Sequence, residues 1–143
     1  MGKYTKLLII FFSCILFIIC IVFGFNIVIK ETKKNKISQI SEFINISDEN
    51  KKSELQEVAE FTYEEVGELD NIQFLESNVD NQSNLKISVT FKDKALKFDR
   101  VFSFKQVINE ILKNDYSDIV IVMSQELPSK SEMRFVYNHG KWQ

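Results

Sequence analysis

Between Leu7 and Ile29 the chain carries 23 residues without one charged side chain, "LLIIFFSCILFIICIVFGFNIVI", and lysines stand at both ends. No other stretch restricts the possible structures as strongly. A helix of that length spans about 34 Å, against a bilayer hydrocarbon core of about 30 Å. Ser13, Gly24 and Asn26 alone interrupt the apolar run. A cleaved export signal has a shorter apolar core of about 7–15 residues and a small-residue cleavage site. Val22, Phe23 and Gly24 make a poor one. Acylation is equally ill served. Ser13–Cys14 has too little apolar chain before it, Ile19 is a bulky neighbour for Cys20, and Lys6 replaces the Ser/Thr of a myristoylation signal. The run reads as one retained transmembrane helix, with the lipid bilayer as the partner of residues 7–29.

Its orientation is set by two opposed signals. The lysine count, with Lys3 and Lys6 before the run and Lys30, Lys33, Lys34 and Lys36 after it, favours keeping the large domain inside. A short tail before a long apolar helix is the pattern of a signal anchor, which exports the chain on its C-terminal side. By that analogy the chain reads as a single-pass cell-membrane protein with an extracytoplasmic domain. Both cysteines, Cys14 and Cys20, lie within the apolar run, so the remainder needs no disulfide and its redox compartment is not encoded.

The sequence divides into an anchor with its flanks, residues 1–36, a short helix or linker, 37–52, and a soluble domain, 53–143. Beyond residue 36 lie 12 basic and 19 acidic residues, a formal charge of −7 against −2 for the whole chain. Such a balance disfavours nucleic acid, whose binding draws on neutralised phosphates.

Ile37, Ile40, Phe43 and Ile44 recur at helical spacing, and "NISDENKK" (45–52) reads as a break. Ser53 and Gln56 have the form of a capping box. Along the helix that they would start at Glu54, one side is shared by Leu55, Val58, Ala59, Thr62, Val66 and Leu69, with Glu57, Glu60, Glu64 and Glu68 opposite. "ESNVDNQSN" (76–84) reads as a polar loop. Leu85, Ile87, Val89 and Phe91 alternate with polar residues as a half-buried strand. Leu96, Phe98 and Phe102 continue the alternation and suggest a hairpin with it. Ser103 and Gln106 offer a second capping box, before a stripe of Phe104, Val107, Ile108, Ile111 and Leu112. Ile119–Met123 is apolar on both faces, and Met133, Phe135 and Tyr137 alternate in a last strand. The pattern predicts an α+β domain: two main helices on one face of a four- or five-stranded mixed or antiparallel sheet.

Chemistry is sparse in this sequence. His139 is the one histidine, in what reads as a surface turn, so no two-histidine metal site or base pair can be built. The glutamates Glu57, Glu60, Glu64 and Glu68 are spaced like carboxylates that bind cations, but they lie opposite the apolar side and lack histidine partners. They are candidates for docking a basic partner. Four glycines leave no phosphate-cradling loop, the Asp/Asn clusters lack calcium-loop spacing, and no serine stands in a nucleophile elbow. No cofactor is expected. Phe91, Phe98, Phe102 and Phe104 concentrate aromatic surface that serves either a core or a partner-binding groove. The resulting expectation is a membrane-anchored interaction or assembly module without catalysis, binding a protein partner or itself. A small-ligand sensor and a carboxylate-dependent hydrolase are the alternatives.

Overall fold

From Lys3 to Ile40 the chain forms one helix, α1, in the computed structural model, which describes residues 2–93, 95–112, 115–126, 130–138 and 140–143. Its side chains from Leu8 to Ile29 are all exposed, as a lipid-facing surface must be. Polar groups in it are turned back on the backbone. Asn26 Nδ2 donates to the Val22 carbonyl at 2.8 Å and Thr32 Oγ1 to Val28 at 2.8 Å, which spares apolar surroundings an unsatisfied donor. The apolar stretch is long enough to cross a membrane once. The chain is a membrane-anchored, single-pass protein.

Contacts divide the chain into residues 1–36 and 37–143. In the second unit the order of elements after the end of α1 is β1 (Ser41–Ile44), α2 (Glu49–Phe61), a π-helical turn (Thr62–Val66), β2 (Leu69–Val79), β3 (Gln82–Phe91), a 3₁₀ turn (Phe98–Arg100), α3 (Val101–Leu112), β4 (Asp118–Gln125), β5 (Ser131–Asn138) and β6 (Lys141–Trp142). The strands form one mixed sheet in the order β1-β2-β3-β4-β5-β6. β1 runs parallel to β2 and β3 to β4, each pair joined through a helix; the other neighbours are antiparallel.

The alternation of side chains places every second residue on the helix-covered face. Ile72 and Phe74 of β2, Ile87 and Val89 of β3, and Ile119 and Ile121 of β4 are each no more than 1% exposed. Leu55, Val58 and Ala59 of α2 and Phe104, Ile108 and Leu112 of α3 close over them, with Phe43 stacked on Phe74 at 5.4 Å. Burying side chains of this size stabilises by about 1.5–3 kcal/mol each. The two-layer α+β arrangement is the expected one, with six strands rather than four or five.

Several expected boundaries are corrected. α2 begins four residues before Ser53: Asp48 is its cap, accepting from the Asn50 N–H at 2.8 Å. The helical spacing of Ile37, Ile40, Phe43 and Ile44 spans two elements, because α1 ends at Ile40 and β1 follows. Residues 76–84 are the paired tip of the β2–β3 hairpin, not a loop. Its two-residue turn has positive φ at both Asp80 (52°) and Asn81 (61°), the type I′ signature that matches strand twist. The run after Phe91 does not return as a strand. It docks on the end of the π-helical turn, with Lys97 N–H bonded to Val66 O at 2.7 Å, and then enters α3 at Val101, inside which Ser103 lies. Gly67 permits this approach, since a Cβ there would sit 2.7 Å from the Ala95 carbonyl oxygen and 2.8 Å from Phe91.

Handedness distinguishes the two helical connections. Both helices cover the same face, while β3, the start of the second crossover, runs opposite to β2. Strand order nevertheless advances in the same direction in both units, from β1 to β2 and from β3 to β4. The two crossovers therefore have opposite hands, and one is left-handed, against a right-handed preference of about 98%.

Candidate functional site

The four candidate glutamates are not held as a single stripe. Glu57 and Glu64 are exposed and Glu60 is half-buried, with its Oε1 lacking a hydrogen-bond partner. The π-helical turn alters the register after Phe61, and Gly67 ends the helix, so Glu68 stands beyond it at the entry to β2. There it meets Lys92 Nζ at 3.5 Å and receives a hydrogen bond from the Tyr63 hydroxyl at 3.3 Å. On the apolar side Leu55, Val58 and Ala59 of α2 and Thr62 and Val66 of the π-helical turn are buried as the spacing predicted; Leu69 is buried too, but as the first residue of β2, beyond the end of the helix. Thr62 tolerates burial because its hydroxyl donates to the Val58 carbonyl at 2.6 Å.

Around Glu68 a shallow acidic cleft is lined by Asp70, Asp93 and Glu126 together with Thr90 and Lys92. These carboxylates line the cleft without converging; among the described residues no group of three or more His, Cys, Asp or Glu could hold a metal ion. His139 lies outside the described residues.

A polar cluster that the sequence does not announce gathers Lys51 near the start of α2, Glu76 of β2 and Tyr116 just before β4. Lys51 Nζ bonds Glu76 Oε1 at 2.9 Å and lies 5.1 Å from the centre of the Tyr116 ring. Tyr116 is 3% exposed and its hydroxyl has no hydrogen-bond partner. Burial, then the negative charges of Glu76, Asp115, Glu54 and Asp48, push its pKa above the ordinary tyrosine value.

The aromatic concentration separates into two roles. Phe91 and Phe104 are core, whereas Phe98 is 58% and Phe102 73% exposed. On α3, Lys105 Nζ sits 4.4 Å from the Phe135 ring centre, 5.2 Å from Phe102 and 5.8 Å from Trp142, a cation held by three π faces. With Gln106 and Asn109, Phe102, Lys105 and Trp142 line a groove of about 250 Å³. Trp142 packs at 5.3 Å on Tyr137, fixing β6 beside the end of β5. The Phe102/Lys105 spacing of three on one helix was the available signal; Phe135 and Trp142 join it only through the sheet register.

Among the described residues the second face of the domain's sheet carries no helix. Its rows read Gln73–Ser88–Val122–Arg134 and Leu75–Lys86–Val120–Val136 across β2 to β5. Polar neighbours bond across strands there, as Thr90 Oγ1 and Ser124 Oγ do at 3.3 Å and Gln73 Nε2 with Glu42 at 2.7 Å. Such a mixed surface is stable in water and offers both charge and apolar area to a partner. Compared with protein-family models, with curated proteins and with solved structures, the chain matches none.

Proposed function

We propose that the membrane-anchored domain is a protein-interaction or assembly module, displayed on the extracytoplasmic side and acting without catalysis. The observation that carries this reading is the one-sided covering of the sheet. Both helices lie on one face, leaving the other face, the outer edge of β5 and the ring of Phe102 open among the described residues. A bilayer anchor supports it, because confinement raises the effective concentration of weakly binding partners. Glu57, Glu60, Glu64 and Glu68 serve in this reading as a steering surface for a basic partner, acting more on association rate than on affinity. Carboxylates that line a cleft without converging fit this role better than hydrolysis.

Crosslinking in intact membranes with a membrane-impermeant amine reagent, followed by mass spectrometry, tests the reading. Specific adducts on domain lysines such as Lys86 and Lys105 are expected. Modification obtained with a permeant reagent alone would move the domain to the other side of the membrane. Absence of any specific adduct at native expression with either reagent would end the interaction reading. Replacing the four glutamates by glutamine should diminish adducts to a basic partner; unchanged adducts would remove those residues from the docking surface.

A further inference from the structure

We infer that the partner includes a second copy of this chain, joined to the first through the outer edge of β5 in one antiparallel register centred on Met133. This rests on the interaction reading above and gives it a partner. β6 covers only the end of β5. Tyr137 pairs with Trp142 and Asn138 with Lys141, and Val136 exchanges both backbone bonds with Gln143, at 3.3 and 2.8 Å. Among the described residues nothing pairs with the outer side of Ser131–Phe135.

The hydrogen-bond parity of that free edge is fixed by Val136. Backbone groups on an antiparallel strand point to alternate neighbours, so the residues facing outward with Val136 are Arg134 and Glu132. The residues between them, Ser131, Met133 and Phe135, bond inward to β4. A second strand must therefore meet Glu132 and Arg134 with its own outward-facing residues.

Charge then selects the register. Self-pairing about a twofold axis keeps this parity with its centre on 132, 133 or 134. Centred on Glu132 or on Arg134, it sets like charges against each other across the junction. Centred on Met133, it sets Glu132 opposite Arg134 of the second copy twice over, each pair exchanging backbone bonds and an ion pair. A charged edge normally prevents strand addition. Opposite charges two residues apart instead exclude strands that lack the complement and admit this one.

The apolar side of the junction agrees. Met133 and Phe135 pack partly buried against the core on the helix-covered face. Lys105 bridges Phe135 to the ring of Phe102, at 73% the most exposed large hydrophobic side chain among the described residues of the domain. A second copy seated on the β5 edge shields that ring. The opposite edge has no such match, since β1 presents Glu42 as its one charge.

The test uses the full chain in membranes, with Cys14→Ser and Cys20→Ser as background. Residues facing each other in a non-hydrogen-bonded antiparallel pair have Cα atoms about 4.5 Å apart, within the range of about 4.4–6.8 Å that a disulfide spans. Met133→Cys is therefore expected to give a covalent dimer on mild oxidation, whereas Leu75→Cys on the far side of the sheet is not. Adding Arg134→Glu should lower the dimer yield about tenfold, the equivalent of about 1.4 kcal/mol. Combining Arg134→Glu with Glu132→Arg should restore it, which also shows that the chain still folds. No dimer from Met133→Cys, or a yield indifferent to Arg134→Glu, overturns the proposal. Adducts to other proteins in the amine-crosslinking experiment, together with either negative result here, leave the interaction reading standing and remove only the self-pairing.

Discussion

Phe74 and Gln73 are neighbours in β2, yet they belong to different problems. Phe74 points to the helices, is fully buried and stacks on Phe43; Gln73 points to the open face and hydrogen-bonds the exposed Glu42. The same division holds along β3, where Ile87 and Val89 are core and Lys86 and Ser88 are not. One face therefore supplies most of the folding energy, and the other can vary in chemistry at little cost to stability. The contrast teaches that a partner surface on this domain should be sought among alternate residues of the very strands that make the core.

The largest expected effect tests that contrast directly. Phe74→Ala should destabilise the domain by about 3–5 kcal/mol, through lost transfer energy and the cavity left behind. Gln73→Ala, on the other face, should stay within about 0.5 kcal/mol. Denaturation followed by the fluorescence of Trp142 measures both, and comparable losses would break the distinction between the faces. Gly67→Ala should cost less, about 1–3 kcal/mol, because its Cβ would press on the backbone carbonyl of Ala95 and on the Phe91 ring and force them apart. A loss well under that range would show that these neighbours yield without strain.

The smallest effect concerns Tyr116, on the border between core and solvent. Tyr116→Phe removes a hydroxyl that has no partner, so stability near neutral pH should change by no more than about 1 kcal/mol. The sign of its pH dependence comes from linkage. The folded chain holds the phenol protonated at pH values where the unfolded chain, with a pKa near 10, has released the proton. Above about pH 10 the unfolded state binds fewer protons, so stability falls as pH rises. The Phe variant should lose less over the same range. Parallel alkaline profiles for the two chains would mean that Tyr116 is not held neutral by burial and its carboxylate neighbours.

Particular residues show how far the sequence carried. Leu85, Ile87, Val89 and Phe91 alternate over a full strand and all four are buried, and Leu55, Val58 and Ala59 of α2 are buried as their spacing predicts. These are long patterns with one buried face, where burial and periodicity agree. β1 has four residues and β6 two, too few for a period to emerge, and both borrow their order from a longer neighbour. Ser77, Asn78, Asp80 and Asn81 at the hairpin tip are exposed and polar, so its composition resembles a loop although the backbone is paired. Phe98 and Phe102 imitate a strand because two exposed aromatic residues happen to fall at alternating positions. In the candidate sites, the glutamates could be named from spacing, but the π-helical turn that separates Glu68 from the others could not. Glu132 and Arg134 gain meaning only when β6 fixes the parity of the β5 edge.

The opposed hands of the two crossovers bear on ancestry. Tandem duplication copies a strand–helix–strand unit with its handedness, so two copies would superpose after rotation. The β1–α2–β2 and β3–α3–β4 units are closer to reflections than to copies, and no rotation brings one onto the other. The two halves of this sheet are therefore not repeats of one ancestral segment that kept its fold. Neither could replace the other in a chimera without reversing the direction in which the sheet grows.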